Sequence, residues 1–107
     1  MPKGIMVVQS SPADAEKDAA YNEWYSGTHV PELLAIPGFV SARRYRVAGG
    51  AKEGQHSYLA VYEIEADDLT VPVKEIRARS ASGQTTSAGD LVQADPPAVV
   101  TLYELID

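Results

Sequence analysis

The stretch IPGFVSARRYRVAGGAKEGQHSYLAVYEI, residues 36–64, predicts a β-hairpin at the centre of the chain. Pro37 and Gly38 turn the chain into a strand candidate at 39–47, and the glycines of 48–54 suit a hairpin loop. The partner strand, 56–64, carries apolar side chains on both faces, because successive side chains of a strand point in opposite directions. One face holds Tyr58, Ala60, Tyr62 and Ile64, and the other holds Leu59 and Val61. Both faces are therefore expected to be buried.

A first strand and the start of a helix are predicted before this hairpin. Residues 3–9 are rich in β-branched and other apolar side chains, which is typical of a strand. Ser11 is expected to be the N-cap of the helix that follows, with Pro12 at the first helical position. Asp14 then lies where the positive end of the helix favours an acidic side chain.

The first helix is expected to extend over 13–26, because neither glycine nor proline occurs within it after the start. Gly27 is expected to interrupt the helix, and Pro31 fits the first turn of a short second piece that ends near residue 35. Small side chains on one side would allow this helix to lie close to a sheet, namely Ala15, Ala19 and Ala20, followed by Trp24.

A second helix and a last strand are predicted after the hairpin, over 71–81 and 98–106. Between them, residues 80–97 are rich in Ser, Thr, Gly and Ala, so this connection is either disordered or a functional lid. Leu91 and Val92 are the apolar residues that could tuck it against the domain.

The order of elements predicts an α+β fold of the ferredoxin-like type, βαββαβ, with a four-stranded antiparallel sheet. Two helices can cover only one face of such a sheet, whereas at least two strands are apolar on both faces. A chain of 107 residues is expected to form a single domain over residues 1–107 and leaves much apolar surface uncovered. We therefore expect a homodimer in which the two sheets lie face to face.

Composition excludes several functional classes. A net charge of −6, with no basic run longer than Arg43-Arg44, argues against nucleic acid as a partner. Without cysteine the chain has no disulfide, thiolate nucleophile or iron–sulfur cluster, which fits the reducing cytoplasm. Apolar runs of only a few residues predict no membrane span, and the residues before the first strand do not look like a signal peptide.

The most chemically informative segment is Tyr21–Glu32, which holds the only Trp of the chain. If helical geometry continues through Gly27, Tyr21, Tyr25 and His29 recur at intervals of four and share one side. His29 is then the natural general acid or base of a pocket. The alternative is structural: His29 caps the interrupted helix, and the aromatic residues serve as core or interface packing.

Arginine and tyrosine residues on the hairpin strands provide a second set of candidates. Arg43 and Tyr45 share one strand face, and Arg44 and Arg46 share the other. A buried arginine needs a carboxylate or an anionic ligand. Either a cross-strand salt bridge supplies it, from Glu63 or Glu104, or the arginine holds a carboxylate or enolate of a substrate. Tyr58 and Tyr62, two residues apart on one face, could donate hydroxyl groups to the same cavity.

Metal and cofactor sites are not indicated. His29 and His56 are the only imidazoles, and no metal-binding spacing such as His-x-His or His-Glu-x-x-His occurs. No P-loop or dinucleotide-binding pattern occurs either, since Gly49, Gly50 and Gly54 are not followed by a helix. Neither a metal nor a cofactor is therefore expected.

One family shares several of these motifs in the same order: NEWY (22–25), THVPEL (28–33), IPGF (36–39) and RRY (43–45). Together they resemble the signature of EthD-like proteins of the dimeric α/β barrel superfamily. The resemblance covers residues 3–64 and the last strand. It implies a ferredoxin-like monomer, dimerisation through the sheets, and a cavity between sheet and helices with His29 at its edge. Trp24 and Tyr25 would be wall residues beside it. Residues 80–97 depart from the family, because relatives keep more aromatic residues near the second helix.

The expected function is that of a cofactor-independent enzyme of the isomerase, cyclase, dehydratase or lyase type. Its substrate would be a small apolar, aromatic or polyketide-like metabolite, with His29 as general acid or base. The substrate-binding candidates are Tyr21, Trp24, Tyr25, Arg43, Tyr45, Tyr58 and Tyr62. Two alternatives stay open: a non-catalytic dimeric protein that binds or serves a hydrophobic metabolite, and a cofactor-free monooxygenase of the same superfamily.

Overall fold

A four-stranded antiparallel sheet forms the centre of the protein in a computed structural model that describes residues 2–107. Its strands are β1 (Lys3–Ser10), β2 (Phe39–Arg46), β3 (Tyr58–Glu65) and β4 (Val99–Glu104). They are arranged in the order β2-β3-β1-β4, so the two halves of the chain interleave at β1 and β3. This is the predicted α+β, ferredoxin-like arrangement.

The helical connection between β1 and β2 is continuous, although it changes its winding. A 3₁₀ turn (Ala15–Lys17) leads into helix α1 (Asp18–Trp24), a π-helical turn (Tyr25–His29) and helix α2 (Val30–Leu34). Gly27 therefore lies inside a π-helical turn and does not break the helix, which corrects the expected interruption. The second connection contains helix α3 (Thr70–Ala81).

The first helical turn begins differently from the prediction. Asp14, not Ser11, is the N-cap of this turn, and its carboxylate accepts a hydrogen bond from the Lys17 backbone amide at 3.1 Å. Ser11 is already engaged across the fold, because its hydroxyl accepts from the Ser57 amide at 3.0 Å. Pro12 lies before the helix and forms a β-bridge with Val92.

The core lies between the helices and one face of the sheet. Tyr21, Tyr25 and Leu33 project onto that face, where they meet Met6 and Tyr62. The small-residue stripe is on the other side of the helix, with Ala15, Ala19 and Ala20 exposed. The prediction of a close alanine contact is thus wrong: tyrosine rings fill the space between helix and sheet and bury more apolar surface than alanine would.

Two buried tyrosines of this core provide a matched test of hydrogen bonding. The Tyr21 hydroxyl bonds to Ser10, whereas the Tyr62 hydroxyl lies beside that of Tyr25 without a well-formed hydrogen bond in residues 2–107. We expect Tyr21→Phe to lower the free energy of unfolding by about 1–3 kcal/mol, because it leaves the buried Ser10 hydroxyl unpaired. Tyr62→Phe removes an unpaired group and should be neutral or stabilising. Urea titrations of both variants measure the difference, and equal losses would contradict this assignment.

The second face of the sheet is open in the single chain, where a groove of about 480 Å³ runs across it. Tyr45 and Tyr103 are each about half exposed there, at 49% and 52%. Arg43 also lies on this face and forms no salt bridge with Glu63 or Glu104 among residues 2–107, so the expected cross-strand pair is not found.

Dimerisation through this open face stays a prediction. The wild type is expected to sediment at about twice its 11.5 kDa monomer mass at micromolar concentration. Val61→Asp, which puts a charge in the middle of the face, should give a folded monomer. Val71→Asp is the control, because Val71 is exposed on the first turn of α3, away from the groove. A monomeric wild type, or equal effects of the two substitutions, would rule out this interface.

The connection between α3 and β4, residues 82–98, forms a strap across the first helical connection. Backbone hydrogen bonds join Ala13 to Leu91 at 2.8 Å and Ser11 to Gln93 at 2.9 Å, and Val92 packs against the core. Val92 thus holds the strap against the core, whereas Leu91 holds it through its backbone carbonyl. No helix in residues 2–107 is long and apolar enough to cross a membrane.

Candidate functional site

A mostly apolar cavity of about 310 Å³ lies between β1 and β4 on one side and the helices on the other. The strap contributes part of its wall, so the cavity is built from segments far apart in the sequence. Eight of its lining residues are aliphatic: Met6, Val8, Leu33, Val73, Ile76, Val92, Ala98 and Val100. The others are Ser10, Trp24, Tyr25, His29 and Arg77. This arrangement suits a small hydrophobic molecule with a few polar groups.

The π-helical turn brings three aromatic side chains together at the cavity wall. The His29 ring stacks on Trp24 with 4.6 Å between ring centroids and 20° between planes. Tyr25 meets His29 edge-on at 4.9 Å and Trp24 edge-on at 5.5 Å. Because the helix continues through this turn, His29 does not cap an interrupted helix, as the structural alternative expected.

Polar atoms of the same three residues are buried without a hydrogen-bond partner in residues 2–107: Trp24 Nε1, Tyr25 Oη and His29 Nδ1. Buried polar groups are nearly always paired, so each one calls for an explanation. The Trp24 and Tyr25 groups can donate, and an imidazole nitrogen without its proton can accept. The residues that carry these atoms line the cavity, so two donors and one base lie next to whatever occupies it. Each atom is closed off from water, so contact with an occupant needs a small movement of the rings.

Burial sets the protonation states of these groups. Desolvation lowers the pKa of His29 below its usual value of 6.5, the Arg44 charge acts in the same direction, and Glu32 opposes both. Desolvation also raises the pKa of Tyr25 to about 12. At neutral pH His29 is therefore an uncharged imidazole that can take a proton, while the Tyr25 hydroxyl keeps its proton.

Arg44 supports the wall from behind. Its guanidinium donates to Asn22 Oδ1 and to Ser26 Oγ, both at 2.9 Å, and its Cζ lies 4.5 Å from the Tyr25 ring centroid. Asn22 in turn donates to the Tyr58 hydroxyl at 3.1 Å. This network holds Tyr25 in place by hydrogen bonds and a cation–π contact.

The predicted site residues divide into three groups. Trp24, Tyr25 and His29 line the cavity together. Tyr21, Tyr58 and Tyr62 lie on the same side of the sheet, but in the core beside the cavity: Tyr21 bonds to Ser10, and Tyr58 donates to Asp18 at 2.5 Å. Arg43 and Tyr45 lie on the opposite face and do not reach this cavity.

A β-bulge explains why Arg44 faces the core in place of Arg43. Phe39 pairs with Ile64, but Ser41 pairs with the next residue, Glu63, so β2 holds one extra residue at Val40. A one-residue shift moves every later side chain to the other face. The expectation for Arg43 and Tyr45 as cavity residues is therefore corrected. Composition does not reveal such a bulge.

Further polar residues of the site were not predicted: Ser10, Asn22, Ser26 and Arg77. Asn22 lies one helical turn before Ser26, and this spacing could have marked a polar edge of the helix. Ser10 and Arg77 carry no local signal, because only the fold brings β1 and α3 to the same cavity.

Comparison with known proteins adds a family. The model of a family described as a domain of unknown function, DUF4286, matches residues 10–75. The chain belongs to the DUF4286 family. The matched residues include the π-helical turn, Arg44 and the β-hairpin. A comparison of this DUF4286 chain with curated proteins finds no match.

Solved structures resemble the DUF4286 chain over its whole length. A crystal structure described as a "putative monooxygenase" from Shewanella loihica PV-4 has a TM-score of 0.62 and 17% sequence identity to this chain. The match covers 100% of this chain and 98% of the Shewanella chain. An ethyl tert-butyl ether D (EthD) family protein from Bacillus halodurans C-125 has a TM-score of 0.61 and 20% sequence identity to this chain. The match covers 99% of this chain and 100% of the Bacillus chain. The EthD-like fold implied by the sequence motifs is confirmed.

Proposed function

We propose that the protein is a cofactor-independent enzyme that moves a proton on a small apolar, aromatic or polyketide-like metabolite. Such chemistry includes isomerisation, cyclisation, dehydration and lyase reactions. The observation that carries this proposal is that three buried polar atoms without a hydrogen-bond partner belong to residues of one apolar cavity wall, namely Trp24, Tyr25 and His29. His29 is the general acid or base.

The charges that develop during such a reaction have a matching set of groups. When His29 takes a proton from carbon, an enolate or phenolate oxygen becomes negative. The Tyr25 hydroxyl and the Trp24 indole N–H are the unpaired donors for that oxygen, in the role of an oxyanion hole. Because the wall is apolar, each hydrogen bond acts more strongly than it would in water. Arg44 supports Tyr25 from outside the cavity.

A cofactor-free monooxygenase is the second candidate. It is favoured by the Shewanella structure, whose description names that activity, and by a cavity wall of electron-rich rings next to a base. The first step would be the same removal of a proton by His29, and the products would differ only in the later incorporation of oxygen. In either case the proposed working form is a cytoplasmic homodimer.

Proton transfer and oxygenation are separated by one set of measurements on the wild-type protein. Aryl ketones and phenols with acidic C–H groups are incubated in D₂O with and without oxygen. Product formation, which separates the two candidates, is followed by NMR and mass spectrometry; deuterium exchange is recorded beside it as a measure of the proton removal that both share. Turnover without oxygen is the expected result. Product that forms only with oxygen would support the monooxygenase and overturn our first choice. Saturable binding without proton transfer or oxygenation, measured by Trp24 fluorescence, would indicate a non-catalytic binding protein.

A further inference from the structure

We propose that Arg77 selects substrates that carry a carboxylate, which it holds at the mouth of the cavity while their apolar part lies beside His29. This inference rests on the proposed function, since it names the substrate class of the same site. It assigns the charge recognition to helix α3 and not to the strand arginines.

Helix α3 presents one side to the cavity, formed by Val73, Ile76 and Arg77. These residues are three and four apart, so they share one face of the helix. Val73 and Ile76 pack against the core, whereas Arg77 is exposed. Arg77 thus belongs both to the cavity lining and to the surface, a position in which an arginine can pack its apolar stem on the wall and keep its charged head in water.

The Arg77 charge has no opposite partner within residues 2–107. The next arginine of the helix, Arg79, pairs with Glu75 at 3.1 Å, but Arg77 forms no salt bridge in this part of the chain. The lining of the cavity contains no aspartate or glutamate. His29 is uncharged at neutral pH, so Arg77 is the one charged group of the lining.

The surroundings make this charge selective. The chain carries a net charge of −6, which repels anions from most of its surface. A cation next to an otherwise neutral cavity then attracts an anion to that one place. The guanidinium fork matches a carboxylate, which can accept two parallel hydrogen bonds. An apolar wall and a single cation together fit an aromatic or polyketide-like acid, with the acid at the entrance and the reacting carbon inside.

The inference is tested with 2-naphthoic acid and its methyl ester, two probes of the same shape that differ in charge. Calorimetric titration should show that the wild type binds the acid more tightly than the ester. Arg77→Gln is expected to raise the Kd of the acid about tenfold and to leave that of the ester unchanged. Added salt should weaken binding of the acid to the wild type and leave its binding to the Arg77→Gln variant unchanged.

Arg79→Gln is the matched control, because it removes a cation from the same helix outside the cavity lining. Its Kd for the acid should stay within about twofold of the wild-type value. Equal binding of acid and ester by the wild type, no binding of the acid, or equal losses in both arginine variants would overturn the inference. Turnover of neutral and acidic substrates at equal efficiency would overturn it while leaving the proposed function intact. Selective binding of acids without turnover of any compound would support the inference on Arg77 and overturn the proposed function.

Discussion

His29→Gln is expected to lower kcat by at least about 100-fold, because general acid–base catalysis typically contributes a factor of about 10²–10⁴. Glutamine keeps much of the size and polarity of the ring but cannot accept and release a proton at neutral pH. Binding should change little, since the apolar wall is intact, so the loss belongs in kcat. Initial rates measured over a range of substrate concentrations separate kcat from KM.

The pH dependence gives the same test a second readout. Only the uncharged ring of His29 can act as a base, and burial lowers its pKa from 6.5. The wild-type rate should be constant at neutral pH and fall only at a pH below the usual histidine pKa of 6.5, where the ring becomes protonated. The His29→Gln variant should lack this acidic limb. A variant with normal kcat, or one that retains the limb, would exclude His29 as the base.

His56→Gln serves as the control histidine variant. His56 is not part of the cavity lining; it bonds to the Ser11 hydroxyl at 2.9 Å and donates from Nε2 to the Pro97 carbonyl at 2.8 Å. Its substitution affects the attachment of the strap and leaves the reacting groups in place. Activity within a few-fold of the wild type is expected, and a loss equal to that of His29→Gln would mean that folding, not chemistry, is being measured.

Gly38→Ala is expected to destabilise the fold strongly. Gly38 has a φ of +105°, a backbone conformation that residues with a side chain rarely adopt. Backbone strain of this kind costs about 1–3 kcal/mol. An added Cβ would also lie 2.5 Å from Cγ of Pro72 on α3, and overpacking costs about 1–3 kcal/mol more. A small domain has about 5–15 kcal/mol of stability, so the melting temperature should fall by about 10 °C or more.

Gly49→Ala separates the two causes. Gly49 has a φ of +79°, but nothing lies within 4 Å of an added Cβ. This variant therefore meets backbone strain without a clash, and its melting temperature should fall less than that of Gly38→Ala. Calorimetric melting of both proteins checks the difference. Equal shifts would show that contact with Pro72 does not matter and that strain alone sets the cost.

The sequence predicted the fold well because the fold depends on patterns that are local. Alternating apolar residues in β3 and the glycine-rich loop before it are visible in a single stretch of chain. The start of the first helix was harder to predict from the sequence, because Ser11 and Asp14 are both good N-cap residues. The choice between them depends on Ser57 and His56, which hold Ser11 from another part of the chain.

The site could be predicted only where it is local. Trp24, Tyr25 and His29 belong to one helical segment, so their spacing in the sequence predicted their proximity. Arg43 and Arg44 were expected on opposite faces of their strand, but the residue types do not decide which face is the cavity side; an extra residue in β2 turns Arg44 to the core. Arg77 is 48 residues from His29 in the sequence, and only packing of α3 on the sheet brings both to the cavity. No spacing rule connects residues that far apart.

The π-helical turn at Tyr25–His29 makes the position of the proposed base depend on the number of residues in one turn. Such turns hold one more residue than an α-helical turn, so they are equivalent to a single insertion within a helix. Deleting Gly27 would allow α-helical winding to resume with His29 still on the side of Tyr21, because seven α-helical residues make about two full turns. Among relatives of this fold, a gap of one residue in an alignment at this point would therefore mark chains whose helix is regular and whose histidine keeps its direction.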